Sequence, residues 1–188
     1  EDERRIPCEV AAENGVASKG DHLAFEYRQN GAPSFLKVRR EMLVSGLPTK
    51  TFWIEPKGAA LCLWNEDCLS EPFKAPLIVT EGEIDALSFL AAGATHVVSV
   101  PNGAAGRPGD GDIVPAADRQ FAYLWDGNKL KRGLQHASKI ILATDGDGPG
   151  QILRDELAVR LGRPRCWFVT YPPGCKDANE VLVKHGAD

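Results

Sequence analysis

A chain of 188 residues with 43% hydrophobic content can build a core, and it suits one large domain or a small one joined to a medium one. It contains no apolar run of about eighteen residues and no basic start followed by an apolar stretch, which excludes a membrane-spanning helix or an export signal and makes the cytoplasm the expected location. A net charge of −4 argues against a generic nucleic-acid coat, and five cysteines without C-x-x-C spacing exclude a zinc ribbon and a disulfide framework.

The chain opens at Glu1 and its single methionine is Met42, so a piece of a longer protein is expected. Residues 1–20 are charged, small and without periodicity, and they read as a linker or disordered arm. Strand-like HLAFEYR, the turn Asn30-Gly31 and SFLKVRR then predict a β-hairpin, with a further strand over Lys50–Ile54. Alternation places Lys37 and Arg39 on one strand face, where two cations could grip phosphate; a solvated sheet face is the plainer alternative. Residues 61–69 are expected to cover the hairpin, and the acidic turn Glu71-Pro72 closes a small β-rich subdomain spanning 21–72.

Residues 73–188 alternate strands with helices. PLIVTEGEIDALSFLAAG reads as a buried strand, a tight turn at Glu81-Gly82 and a helix with Ile84, Leu87, Phe89 and Leu90 on its apolar side. HVVSV is a second strand, and a glycine-rich loop, PNGAAGRPGDGD, follows it. Helices are predicted over 116–125 and 130–137, and KIILAT is a third strand. A helix stopping at Gly162, the strand CWFVT and a short helix over 178–185 complete the chain. This order implies α/β architecture: a mostly parallel, Rossmann-like four-stranded sheet flanked by helices, preceded by the β-rich subdomain.

Two parallel-type strands end in carboxylates, Glu81 after LIVT and Asp145 with Asp147 after IILAT. Acids converging on one sheet edge repel one another, and Mg²⁺ relieves that cost, because it takes one or two carboxylates and fills its shell with water and phosphate. Helix capping by Asp145 or Asp147, and helix-start placement of Glu83 and Asp85, are the plainer alternatives. DGDGPGQ fails the dinucleotide-binding spacing at Gln151, and no G-x-x-x-x-G-K-[ST] loop is present. Near the end, Asp177 with Glu180 has capping-box spacing, and Lys176 stands where it could meet a phosphate.

TEGEIDALS, SVPNGA, ATDGDGPGQ and GCKDANEVL, in that order and spacing, resemble the TOPRIM domain shared by bacterial primases, topoisomerases and some nucleases. Lys-Asp-Ala-Asn-Glu and the upstream Lys37-Val38-Arg39 resemble one branch of it, the phage-type primases and primase-helicases with the related Twinkle helicase. The resemblance implies a catalytic Glu81, a metal-binding pair Asp145 and Asp147, and further acids Asp85 and Asp177 near two Mg²⁺ or Mn²⁺ ions. It implies nucleotide or DNA contacts at Lys37, Arg39, Asn102 and Gly103, which Lys176 joins by its own placement before the last helix. Glu81 would be a general base or a metal ligand.

The implied activity is nucleotidyl transfer from nucleoside triphosphates, making short RNA primers on a single-stranded DNA template. The implied partners are a helicase and a zinc ribbon, the latter upstream or in trans because none lies within these residues. A TOPRIM module that binds without synthesis, and a metal-dependent nuclease, are the rival readings. Topoisomerase chemistry needs an activated tyrosine, and Tyr27, Tyr123 and Tyr171 show no sign of one.

Overall fold

The computed structural model describes residues 3–44, 47–103 and 119–187. The expected loose arm is corrected: residues 8–19 hold a helix, α1 (Cys8–Glu13), and a strand, β1 (Val16–Lys19). Backbone pairing, which leaves no side-chain period, fixes β1 against β2 (His22–Gln29), and Ile6 is buried in the core. β2 and β3 (Ala32–Val44) form the expected hairpin, with Asn30 at φ +54° and Gly31 at φ +76° in the left-handed region that tight hairpin turns favour. β4 (Leu47–Glu55) pairs with β3 and completes an antiparallel sheet in the order β1-β2-β3-β4.

The connecting segment is pinned to the second sheet. Trp64 exchanges backbone hydrogen bonds with Ser99, and Asn65 Nδ2 donates to the Val97 carbonyl at 2.9 Å. Then follow β5 (Leu77–Thr80), α2 (Glu83–Ala91) and β6 (Val97–Ser99). Where a helix is predicted over 116–125, a 3-10 stretch covers Arg119–Leu124, and residues 116–118 lie outside the described residues. A two-residue ribbon, β7 (Trp125–Asp126) with β8 (Lys129–Leu130), takes the start of the second predicted helix, so α3 runs only over Arg132–His136. β9 (Ile140–Ala143), α4 (Gly148–Leu161, capped by Gly162), β10 (Cys166–Phe168) and α5 (Ala178–His185) match their predicted places.

The four strands are parallel in the order β10-β9-β5-β6. β5 and β9 read as unbroken apolar runs because both faces of this sheet are covered. Leu77, Val79, Ile140 and Leu142 pack with Leu134 of α3 and with Leu153, Leu157 and Leu161 of α4. On the other face Ile78 joins a core that holds Ala86 and Leu87 of α2, Leu182 of α5, and Phe25, Tyr27 and Phe35 of the antiparallel sheet. The two sheets therefore share a core through α2 and α5, which sets the acidic ends of β5 and β9 opposite the cationic face of β3.

Candidate active-site cleft

Thr80 and Ala143 are register partners, so the residues that leave β5 and β9 emerge side by side. Thr80 Oγ1 donates to the Gly82 carbonyl at 3.0 Å and holds the turn, while Glu81 Oε2 accepts the Asp145 backbone N–H at 3.3 Å. The starts of α2 and α5 add Asp85 and Asp177. Asp85 Oδ1 accepts the Asn179 backbone N–H at 3.0 Å, and the Asn179 side chain donates to Ser88 Oγ and the Arg4 carbonyl while accepting from Arg4 Nη1. Asp177 Oδ1 accepts the Glu180 N–H at 2.7 Å and Glu180 Oε2 reaches back to the Lys176 N–H, close to the capping arrangement its spacing predicts. Lys176 Nζ lies 3.7 Å from both Asp145 and Asp177.

These acids disturb one another strongly. Burial, followed by the charge of Asp177, pushes Asp85 up to about 7 against the pull of the Asn179 N–H. Burial and Glu81 push Asp145 up to about 6, with Lys176 opposing. Burial and the same carboxylates raise the Tyr171 hydroxyl. For Lys176, burial favours the neutral amine, but Asp145 and Asp177 outweigh it and raise its pKa.

The donor set suits a hard divalent cation. Among the described residues no three His, Cys, Asp or Glu side chains close around an ion by themselves. Mg²⁺ fits such a site, since it takes one or two carboxylates and completes its octahedron with water and phosphate.

The pH dependence follows from the sign of the shifts. Asp85 and Asp145 hold protons more tightly folded than unfolded, so their contribution to stability is full below about pH 4 and is lost as pH rises through about 6 and 7. Asp85→Asn keeps the acceptor for Asn179 and removes the charge. In a chelator, wild-type melting temperature is expected to fall between about pH 5 and pH 7.5 by several degrees more than that of the variant, at about 2–4 °C per kcal/mol. Parallel curves in differential scanning calorimetry would reject this account of the acids.

The opposite wall is the β3–β4 face. Pairing of Lys37 with Ile54, Arg39 with Phe52 and Glu41 with Lys50 puts these side chains on one side of the sheet. Lys37 is tied down: its Nζ is 2.8 Å from Glu83 Oε1, which also accepts the Tyr27 hydroxyl at 2.5 Å. Removing Lys37 would strand a buried carboxylate, so it is a structural ion pair as well as a cleft residue. Arg39 pairs with Glu41, yet its Nε is buried without a hydrogen-bond partner.

A cleft of about 870 Å³ lies between the walls. Glu81, Asp85, Asp145, Asp177, Lys176, Lys37, Arg39, Asn102 and Gly103 all line it. Gly103 is left-handed at φ +61°, a backbone conformation that favours glycine, and a Cβ there would lie in ordinary contact with Glu81 Oε1 at 3.6 Å. Asp147 is not among the lining residues. It is the N-cap of α4, its Oδ1 accepting the Gly150 N–H at 2.9 Å, as the capping alternative anticipates. Beyond Gly103 the glycine-rich loop lies outside the described residues.

Arg4, Lys50 and Phe52 also line the cleft and were not among the candidates. Lys50 and Phe52 carry a signal, since they alternate on a strand paired with Lys37 and Arg39. Arg4 carries none, because only its clamp to Asn179 brings it there. The amine of Lys50 is pushed down by burial and by neighbouring Arg39 and Arg4, which shows how crowded with cations this wall is.

Comparison with known proteins agrees with this arrangement. The model of a family described as Toprim-like matches residues 78–182. An Arabidopsis thaliana protein named Twinkle homolog protein, chloroplastic/mitochondrial is 38% identical over 97% of this chain and 25% of its own length. Another from the same plant, Primase homolog protein, is 39% identical over 87% of this chain and 47% of its own. The chain thus spans a quarter to about half of these relatives. Among solved structures, the primase fragment of the bacteriophage T7 primase-helicase superposes with a TM-score of 0.65 at 24% identity, covering 97% of this chain and 68% of that one. The E. coli primase catalytic core gives 0.58 at 15% identity, over 97% and 67%. With the family model covering more than half of the residues, and the acids it spans gathered on one sheet edge, the chain belongs to the Toprim-like family.

Proposed function

We propose that this chain is the catalytic core of a DNA primase, transferring nucleotides from nucleoside triphosphates to make short RNA primers on single-stranded DNA, as one part of a primase-helicase. The observation that carries this reading is the pairing, across one cleft, of an acidic sheet edge with a cationic strand face. Phosphoryl transfer needs both, because the transferring phosphate must be held and its charge neutralised. When bound, Mg²⁺ or Mn²⁺ supplies Lewis-acid stabilisation of the phosphate and lowers the pKa of the attacking 3′-hydroxyl.

Glu81 and Asp145 are the pair placed to hold such an ion, Asp145 fixing the orientation of Glu81 through its backbone N–H. Asp147 stands beside them as the cap of α4 and adds negative charge at Asp145. Asp85 and Asp177, at the helix starts, would border such an ion, and Lys176 bridges Asp145 and Asp177. Arg39, with its unpartnered Nε, and Lys37 receive the triphosphate or template backbone, while Asn102 and Gly103 close the rim beside Glu81. A helicase, from the same protein or in trans, and a zinc ribbon that reads the template complete the proposed partners. No helix among the described residues is long and apolar enough to cross a membrane.

Calorimetric titration with Mn²⁺ tests the metal half of this reading. Saturable binding at micromolar to millimolar levels is expected, and Asp145→Ala should weaken it about tenfold or more. An absence of binding heat in the wild type would leave a purely architectural module as the better account.

A further inference from the structure

The cleft holds an exposed aromatic ring that metal and phosphate chemistry do not use. Phe52 is 50% exposed on the cleft wall, opposite Arg39 in the β3–β4 register and on the same face as Lys37. Lys37 Nζ stands 5.2 Å from the centre of its ring. Arg39 next to it is buried to nine-tenths and keeps an unpartnered Nε at this wall.

An apolar ring left half in water beside an unsatisfied buried guanidinium N–H is complementary to a ligand that is flat and apolar at one end and anionic at the other. A nucleobase joined to its phosphate has that form. Base stacking on aromatic rings is strong and tolerant of sequence, and cations behind the ring reinforce it.

We infer that Phe52 is the stacking platform for a nucleobase, with Arg39 taking the attached phosphate. This rests on the nucleotide-binding reading above and adds the residue that holds the base. A platform of this kind grips every base by its π-face, so it supplies affinity and leaves sequence choice to other groups. The base belongs either to a free nucleoside triphosphate or to a nucleic-acid strand.

Titration calorimetry of the 188-residue chain with ATP, a short oligodeoxythymidylate and tripolyphosphate separates these cases. Phe52→Ala is expected to weaken one base-bearing probe by about 5- to 150-fold while changing tripolyphosphate affinity by less than about twofold, and Phe52→Tyr should restore wild-type binding. Loss confined to ATP assigns the site to a free nucleotide, and loss confined to the oligonucleotide assigns it to a strand. Unchanged affinity of Phe52→Ala for both base-bearing probes would overturn the inference alone, as would equal losses for all three probes. Failure of the wild type to bind any of them would overturn the nucleotide-binding reading with it.

Discussion

Asp145→Ala combined with Asp147→Ala will reduce template-dependent nucleotide incorporation by about a thousandfold or more while leaving a folded chain. The two acids contribute unequally. Asp145 lines the cleft, orients Glu81 and has its proton held more tightly by burial and by Glu81. Asp147 caps α4, so Asp147→Ala alone should cost about 1 kcal/mol of stability, and the larger part of the loss of activity should follow Asp145→Ala. Charge repulsion relieved at the site works in the other direction, because burial and neighbouring acids make ionised Asp145 unfavourable in the folded chain. Circular dichroism and urea unfolding of both single variants separate the effects. An active double variant would remove these residues from the chemistry.

Gly150→Ala should be among the most damaging single-methyl additions in the chain. Gly150 sits in the first turn of α4, directly against the backbone that carries Asp145. A Cβ there would lie 2.8 Å from the Asp145 carbonyl carbon and 2.9 Å from its Cα, and closer still to the carbonyl oxygen. Backbone cannot rotate out of the way as a side chain can, so either α4 tilts or Asp145 moves. The expected cost is about 3 kcal/mol in urea unfolding, together with weakened divalent-cation binding, because one displacement disturbs core and site together. Gly148, in the same glycine-rich turn, has no atom within 4 Å of such a Cβ and serves as the control, Gly148→Ala being expected to stay near wild type. Equal effects at the two positions would show that the close approach is not what matters.

The parallel half of the fold was legible because its strands and helices carry strong apolar signals at the two expected periods, and because β5 and β9 stop at carboxylates. The antiparallel half was legible in its hairpin, where Asn30-Gly31 dictates the turn. β1 was not, since a short edge strand held by backbone pairing leaves little pattern in VASK. Residues 119–137 misled for a related reason: short ribbons and 3-10 turns contain the same apolar residues as a helix, and only the left-handed Gly127 marks the turn between β7 and β8.

At the site, Glu81, Asp85, Asp145 and Asp177 could be named from three of the four sequence blocks, and the fold gathers them around one cleft. The sequence left undecided whether each acid caps a helix or faces a ligand. Asp147 is the cap of α4, Asp177 both caps α5 and lines the cleft, and Asp85 is clipped to the start of α5 through Asn179. The opposite wall was only half visible, because Lys37 and Arg39 announce themselves by charge whereas Phe52 becomes meaningful only through its register with Arg39.

The central claim, that this cleft performs metal-dependent templated nucleotidyl transfer, is tested most directly by primer extension. The chain is supplied with single-stranded DNA bearing a pre-annealed ribonucleotide primer, nucleoside triphosphates and Mg²⁺ or Mn²⁺, so that template reading by a zinc ribbon is not required. Products complementary to the template should lengthen with time and disappear in chelator and in the Asp145→Ala, Asp147→Ala variant. Products that persist in that variant, or a template that shortens while the primer stays unextended, would contradict the account.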